Sequence, residues 1–257
     1  MPAEKISSLD DPRVYKFTLQ KDKELARDQE IIVDSPKVVL RMMDAGRTPK
    51  AILANQKFLD DHGQRFEGMD CQVYWADVPL LEKIVGHRLH HGVIALAERP
   101  ESLKLSALGH RLLVLNGVNK AENVGTIVRT CDALGVDSLL VDERTLSPFI
   151  RRAIRVSMGS IFRIKVRTSA DLFSDLQTLR TSGYQVLGTG IAPDTHRFDK
   201  IDFAKKCALI IGSEGFGMDS ALVGLCDAVI KIPMRDHVDS LNASVAAGIL
   251  LQRLGAI

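Results

Sequence analysis

The sequence predicts an α/β protein whose C-terminal half is built on a parallel sheet. Three observations support this fold class. Apolar runs rich in Val, Ile and Leu recur from about residue 111 onward. Helical patterns separate these runs, and glycines follow several of them. Apolar strands that alternate with helices are typical of parallel sheets covered on both faces.

The N-terminal part is predicted to form a separate, small α/β domain. Arg27–Gly46 predicts a helix, a short strand and a second helix. Strand-like runs then follow at residues 51–55, 71–76 and 92–98. Residues 99–110 have the Pro, Gly and Ser content of a surface connection. We therefore expect two domains, 1–100 and 109–257.

The C-terminal elements follow in regular order. Strands are predicted at residues 111–118, 137–143, 161–167, 184–190, 207–214 and 228–234. In residues 123–134 the apolar side chains recur at helical spacing, and Gly135 is placed to end that helix. The last helix is expected to begin at Ser240, with Ser240 as its N-cap, and to run to about Leu254.

Composition excludes several classes of protein. No apolar run reaches the roughly 18–20 residues that span a bilayer, and the N-terminus lacks the apolar segment of a secretory signal. The four cysteines are far apart and form no CxxC pair, so we expect reduced thiols, no disulfides and no metal site. The histidines likewise lack metal-ligand spacing. A cytoplasmic protein is expected.

The net charge of +2 demands no nucleic-acid partner, but the distribution of charge is uneven. Residues 144–170 contain no acid and seven basic side chains, among them Arg151, Arg152 and Arg155. Such clustering is typical of surfaces that neutralise phosphates. A solvated basic face balanced by acids elsewhere in the fold explains the pattern equally well.

Three loops at strand ends carry candidate functional residues, because ligands of open α/β sheets bind outside the carboxyl ends of strands. The first loop leads into a helix that carries Asn123 and Arg129. These residues suit an anion site, or an ordinary N-cap and a surface cation. The spacing is not GxGxxG, which argues against a nucleotide-dependent oxidoreductase.

The second loop, 212–217, has three glycines around Glu214 and suits either close approach of a ligand or a plain tight turn. The third loop follows Pro233 and leads to Ser240 and Asn242. Asn242 is poorly suited to a helix interior unless its amide is used. The alanines that follow favour close packing on the sheet or on a second subunit.

Together the loops resemble the signature motifs of the SpoU/TrmH family of the SPOUT methyltransferase superfamily. The matching segments are Asn123-Val-Gly-Thr-Ile-Val-Arg129, Gly212-Ser-Glu-Gly-Phe-Gly217, and Ile232-Pro-Met with Ser240-Leu-Asn-Ala-Ser244. They occur in the family's order at strand ends, so their joint match is specific. Residues 155–160, 9–13 and 88–92 also resemble family segments.

The resemblance implies a deep trefoil knot in the C-terminal domain and an N-terminal domain that binds RNA. It implies methyl transfer from S-adenosylmethionine to a ribose 2′-hydroxyl of structured RNA, with rRNA favoured over tRNA, by a homodimer. The catalytic group carried over by position is Arg129, Asn123, Glu214, Ser240 and Asn242. The cofactor-binding group is Thr189, Gly190, Gly212, Ile232 and Leu241. Arg151, Arg152 and Arg155 are the candidate RNA-binding residues.

The chain departs from the family pattern at a few positions. The proline that usually precedes the first-motif asparagine is absent, and the chain has Lys120-Ala-Glu122 there. In the third motif, Asp236 replaces a glycine and Ala243 replaces a valine. Asp34-Ser35 stands where a Glu-Gly pair is common. None of these changes removes a candidate catalytic side chain. The alternative is an inactive RNA-binding protein of the same fold, which a titration with S-adenosylmethionine would distinguish from an active enzyme. Methylation of rRNA that confers antibiotic resistance is a specialised form of the same methyl transfer, and only the substrate distinguishes it.

Overall fold

A computed structural model describes residues 3–19, 22–86, 92–190 and 195–255 of the chain. It divides into two compact units, Met1–Pro100 with Phe149–Phe162, and Glu101–Pro148 with Arg163–Ile257. The division at Pro100 falls inside the connection expected at residues 99–110. Residues 149–162, expected in the C-terminal domain, instead belong to unit 1. Most of the family-like run 88–92 lies outside the described residues.

Unit 1 contains a five-stranded sheet in the order β1-β4-β3-β5-β2, in which β5 is antiparallel to both neighbours. Its core includes Ile32, Leu53, Leu81 and Ile94. The strands are β1 Glu4–Lys5, β2 Glu30–Asp34, β3 Pro49–Ala54, β4 Gln72–Trp75 and β5 Val93–Glu98. The helices are α1 Tyr15–Thr18, α2 Asp22–Arg27, α3 Pro36–Asp44, α4 Gln56–His62, α5 Val78–Val85 and, later in the chain, α7 Arg151–Val156.

Unit 2 contains a seven-stranded sheet in which every paired neighbour is parallel, as the sequence predicts. The strands are β6 Arg111–Asn116, β7 Ser138–Asp142, β8 Lys165–Ser169, β9 Gln185–Thr189, β10 His196–Arg197, β11 Cys207–Gly212 and β12 Ala228–Lys231. The helices are α6 Ala121–Ala133, α8 Leu172–Thr181, α9 Ser220–Val223 and α10 Ala243–Gly255. The order β10-β12-β9-β11-β6-β7-β8 places β9 and β11 between β12 and β6.

Short 3-10 helices complete the described structure, at Pro12–Val14, Gly63–Phe66, Leu105–Ala107, Ser160–Arg163 and Phe198–Lys200. The four cysteines are unpaired, and burial raises the pKa of Cys131 and of Cys207 to about 12. Among the described segments, no helix has the length and apolar character needed to traverse a lipid bilayer.

Two predicted elements are wrong. The strand expected at 161–167 begins only at Lys165, because Met158 and Gly159 adopt positive φ and lead into the 3-10 helix Ser160–Arg163. The final helix begins at Ala243, so Ser240 is not its N-cap. Asn242 caps it instead, since its Oδ1 accepts a hydrogen bond from the Ser244 amide at 2.9 Å. The prediction that Gly135 ends α6 is confirmed by its φ of +72°.

Candidate active site

The three family-like loops follow β6, β11 and β12. They come together in unit 2 because β6 pairs with β11, while β11 and β12 both pair with β9. Parallel strands bring their carboxyl ends to one edge of the sheet. A cavity of about 430 Å³ lies there, within the range of small-molecule sites. It is lined by all of the predicted cofactor residues, Thr189, Gly190, Gly212, Ile232 and Leu241.

Gly212 is required by the tight approach of the second loop to the end of β11. A Cβ at this position would lie 2.2 Å from the Gly217 carbonyl carbon and 2.3 Å from the Met218 amide nitrogen. Because both are backbone atoms, no side-chain movement would relieve the clash. The loop closes on itself through two backbone hydrogen bonds between Ser213 and Gly217, of 3.0 and 2.8 Å.

Glu214 is the point at which the three loops meet. Its carboxylate accepts hydrogen bonds from Lys120 Nζ at 2.5 Å, Asn123 Nδ2 at 3.1 Å and Asn242 Nδ2 at 2.5 Å. The Ala243 amide donates a longer bond of 3.4 Å. The bond from Lys120, followed by those from Asn123 and Ala243, holds the pKa of Glu214 below its ordinary value. The carboxylate therefore stays ionised and fixes the loops.

Asn123 and Asn242 complete this cluster. Asn123 is buried in the first turn of α6, and its Oδ1 accepts a hydrogen bond from Asn242 Nδ2 at 3.0 Å. Lys120, not Asn123, precedes the helix as its N-cap residue. The interpretation of Asn123 as an ordinary N-cap is therefore wrong. Asn242 uses its carbonyl oxygen to cap α10 and its amide nitrogen to hold Glu214 and Asn123.

The remaining candidate catalytic residues occupy different places. Ser240 is exposed and lines the cavity. Arg129 is exposed on α6 and is not among the lining residues. Within the described part of the chain it forms no hydrogen bond or ion pair. The Arg129 guanidinium is thus available to bind a group that lies outside the cavity of the same chain.

A second polar cluster, which the sequence did not reveal, joins the roots of the first two loops. Asn116 Nδ2 donates to both Asp142 and Asp219 at 3.0 Å, and its Oδ1 accepts from the Asp219 amide at 2.8 Å. Arg144 bonds to both carboxylates. The bonds from Asn116 and then Arg144 lower the pKa of Asp219. The only signal in the sequence was the position of polar residues at the ends of β6 and β7.

The basic stretch 144–170 is largely neutralised by acids, as the balanced-face interpretation requires. Arg151 donates two hydrogen bonds to buried Asp34, of 2.7 and 3.0 Å, and its side chain is only 16% exposed. This pairing argues against Arg151 as a phosphate ligand. Arg152 and Arg155 are exposed. Ion pairs with acids also hold Arg144, Arg163, Lys165 and Arg167 of this stretch.

The lining of the cavity suits a ligand that is both apolar and charged. Ile211, Ile230 and Leu250 contribute apolar surface, while Asp239 contributes a carboxylate and Lys231 an ammonium group. S-adenosylmethionine has this character, with a purine, a sulfonium, an amino group and a carboxylate. Carboxylates favour such cations by Coulombic attraction, and the glycines admit close contact with backbone groups.

Comparisons with known proteins give a consistent result. The model of the SpoU rRNA Methylase family matches residues 110–252. A Mycobacterium bovis protein, named as an uncharacterised tRNA/rRNA methyltransferase, is 30% identical over 251 residues, 93% of this chain and 87% of that protein. An AdoMet-bound rRNA methyltransferase of Sinorhizobium meliloti superimposes with a TM-score of 0.89 at 24% identity, covering 98% of this chain and 97% of the other. The AdoMet complex of the SpoU methyltransferase AviRb from Streptomyces viridochromogenes superimposes with a TM-score of 0.82 at 22% identity, covering 95% of this chain and 98% of the other. These structural likenesses establish the fold.

Proposed function

The chain belongs to the SpoU rRNA methylase family, and from that premise we propose that it transfers the methyl group of S-adenosylmethionine to a ribose 2′-hydroxyl of structured RNA, with rRNA favoured over tRNA. The observation that carries the proposal is the convergence of the three loops on one cavity. All of the expected cofactor residues line that cavity, and Glu214 ties the loops together beside it.

When bound, S-adenosylmethionine would supply a methyl group whose leaving group is a neutral thioether, so orientation of the hydroxyl dominates the remaining work. The residues that would hold it are Thr189, Gly190, Gly212, Ile232 and Leu241, and the polar groups around the cavity would orient the 2′-hydroxyl for loss of its proton to a base. Ionised Glu214 has donors on both oxygens, so its role is to hold Asn123, Asn242 and Lys120 in place.

Arg129 is the residue proposed to meet the target phosphate and ribose. A guanidinium binds phosphate through paired hydrogen bonds, whereas it stays protonated under ordinary conditions, so proton removal by a neutral form is costly. Ser240 contacts the reacting nucleotide from the rim of the cavity. We assign the exposed Arg152 and Arg155 of unit 1 to RNA phosphates, whereas the pairing of Arg151 with Asp34 argues against that role for Arg151.

The proposal includes a homodimer and a trefoil knot. Arg129 has no partner among the described residues and does not line its own cavity, which favours use by the cavity of a second subunit. The chain leaves β12, yet α10 packs on β11 and α6, beyond β9 in the sheet order. This crossing at the carboxyl ends of the strands supports a knotted path.

Labelled S-adenosylmethionine and total RNA from a strain that lacks the gene provide the direct test. We expect label in one RNA species, and digestion to nucleosides followed by mass spectrometry should place it on ribose. At the modified nucleotide the RNA should resist alkaline hydrolysis, because a 2′-O-methyl group cannot attack the adjacent phosphate. Label on a base would contradict the ribose assignment, and binding of the cofactor without transfer would favour an inactive RNA-binding protein.

A further inference from the structure

Phe216 is the most exposed large apolar side chain in the described part of the chain. Its relative exposure is 97%, and the next, Tyr15 in unit 1, reaches 63%. Phe216 stands at the tip of the second loop between Gly215 and Gly217, and it lines the mouth of the cavity. Exposing a phenyl ring to water is unfavourable, and a ring exposed at the lining of a cavity offers a surface on which a planar group of the substrate can stack.

The loop presents this ring from a fixed backbone. The Phe216 amide donates to Ser213 Oγ at 3.2 Å, inside the pair of backbone bonds between Ser213 and Gly217. Beyond the loop, the Asp219 amide is held by Asn116 at 2.8 Å. A braced phenyl ring has only two side-chain torsions to order, so binding to it costs little conformational entropy.

The surroundings of the ring favour RNA over other partners. Glu214 of the same loop holds Lys120, a cation whose side chain is 63% exposed. Lys120 Nζ has three N–H donors and gives one of them to Glu214, so it retains donors for a phosphate oxygen. An exposed aromatic ring and a cation on neighbouring loops suit single-stranded nucleic acid, with stacking on the ring and phosphate on the cation. A protein interface would require further apolar side chains on this loop, but the adjacent positions are glycines and Glu214.

We propose that Phe216 stacks on an unpaired nucleobase of the RNA substrate and thereby holds the nucleotide whose ribose faces the cavity. The inference rests on the proposed methyl transfer and extends it to a substrate contact that requires the base to leave its helical stack. Stacking on an aromatic side chain tolerates any base, so Phe216 contributes affinity and position, while sequence choice lies elsewhere.

The test compares Phe216→Leu with Phe216→Trp, using Phe173→Leu as the matched control on α8, where the ring is 44% exposed. Methyl transfer is measured against the concentration of total RNA from a strain that lacks the gene. We expect Phe216→Leu to lower kcat/KM for RNA by about ten- to a hundredfold. Phe216→Trp and Phe173→Leu should remain near wild type, and all variants should bind S-adenosylmethionine equally in calorimetry.

Three results would overturn the inference. Unchanged kcat/KM in Phe216→Leu excludes stacking on substrate. A matching loss of cofactor affinity would assign the ring to the cofactor, and dissociation of an oligomer in light scattering would assign it to a second copy of the chain. If wild type methylates no RNA, the proposed function fails together with the inference, whereas an active wild type with an indifferent Phe216→Leu variant defeats the inference alone.

Discussion

Ser35 shows strain at a single residue, where unit 1 departs from the family's common Glu-Gly pair. Its φ of 77° and ψ of 144° lie in a region that glycine adopts far more readily, and its side chain makes no capping hydrogen bond to α3. We expect Ser35→Gly to stabilise the protein by about 1 kcal/mol, since relief of strain exceeds the added entropy of the unfolded chain. Urea denaturation measures the change. Ser35→Ala keeps the Cβ and should gain nothing, so equal gains in both variants would contradict this explanation.

Glu214 allows a second prediction for one residue, through its lowered pKa. A carboxylate whose pKa is lowered by folding stabilises the native state fully above its ordinary pKa of 4.5, and this contribution is lost as pH falls through the lower folded pKa. The difference in melting temperature between wild type and Glu214→Gln should therefore stay constant from about pH 8 to pH 5 and narrow only in stronger acid. Narrowing already near pH 6 would mean that Glu214 titrates as a general base does.

The start of α10 separates the roles of two polar residues within one element. Asn242→Ala removes the N-cap and should destabilise the protein by about 1 kcal/mol, with a further loss from Glu214 and Asn123. Asn242→Ser retains a capping oxygen but lacks the amide donor, so it should recover only the capping part of the lost stability, without recovering methyl transfer. Ser240→Ala should leave stability unchanged. Chemical denaturation measures the stability of each variant, and the transfer assay measures its activity. A large loss of stability in Ser240→Ala would indicate that Ser240 is the N-cap of α10.

Elements were predictable where local pattern and tertiary environment agree. The strands β6, β7, β9, β11 and β12 and the helix α6 follow directly from apolar runs and helical spacing. The strand predicted at residues 161–167 was wrong because an apolar run that is buried in a 3-10 turn has the same composition as a strand. The predicted start of α10 was wrong because Ser240 and Asn242 are both good capping residues. Only the hydrogen bond of Asn242 to Glu214, which is distant in sequence, distinguishes them.

At the scale of the whole molecule, the motifs located the cavity but not what holds it in place. Lys120 and Glu214 are 94 positions apart, and Asn116 and Asp219 are 103 positions apart. No local rule of spacing joins such pairs, because they meet only after β11 has paired with β6. The assignment of residues 149–162 to unit 1 was missed for a similar reason, since the part-buried pair of Arg151 with Asp34 spans 117 positions.

The assembly supplies the final prediction, because Arg129 and the cavity it serves are proposed to lie on different subunits. Arg129→Ala should abolish transfer with little change in S-adenosylmethionine affinity. Leu241→Glu, which places a charge in the cavity lining, should abolish cofactor binding while leaving Arg129 intact. When the two inactive variants are unfolded together and refolded, half of the dimers are mixed, and each mixed dimer contains one site with both an intact cavity and an intact Arg129. Activity should then return to about a quarter of wild type, as random pairing in a twofold dimer requires. If each site used its own Arg129, every site in the mixture would lack one component and no activity would return. Refolding each variant alone provides the baseline, and light scattering establishes that the mixed preparation is dimeric.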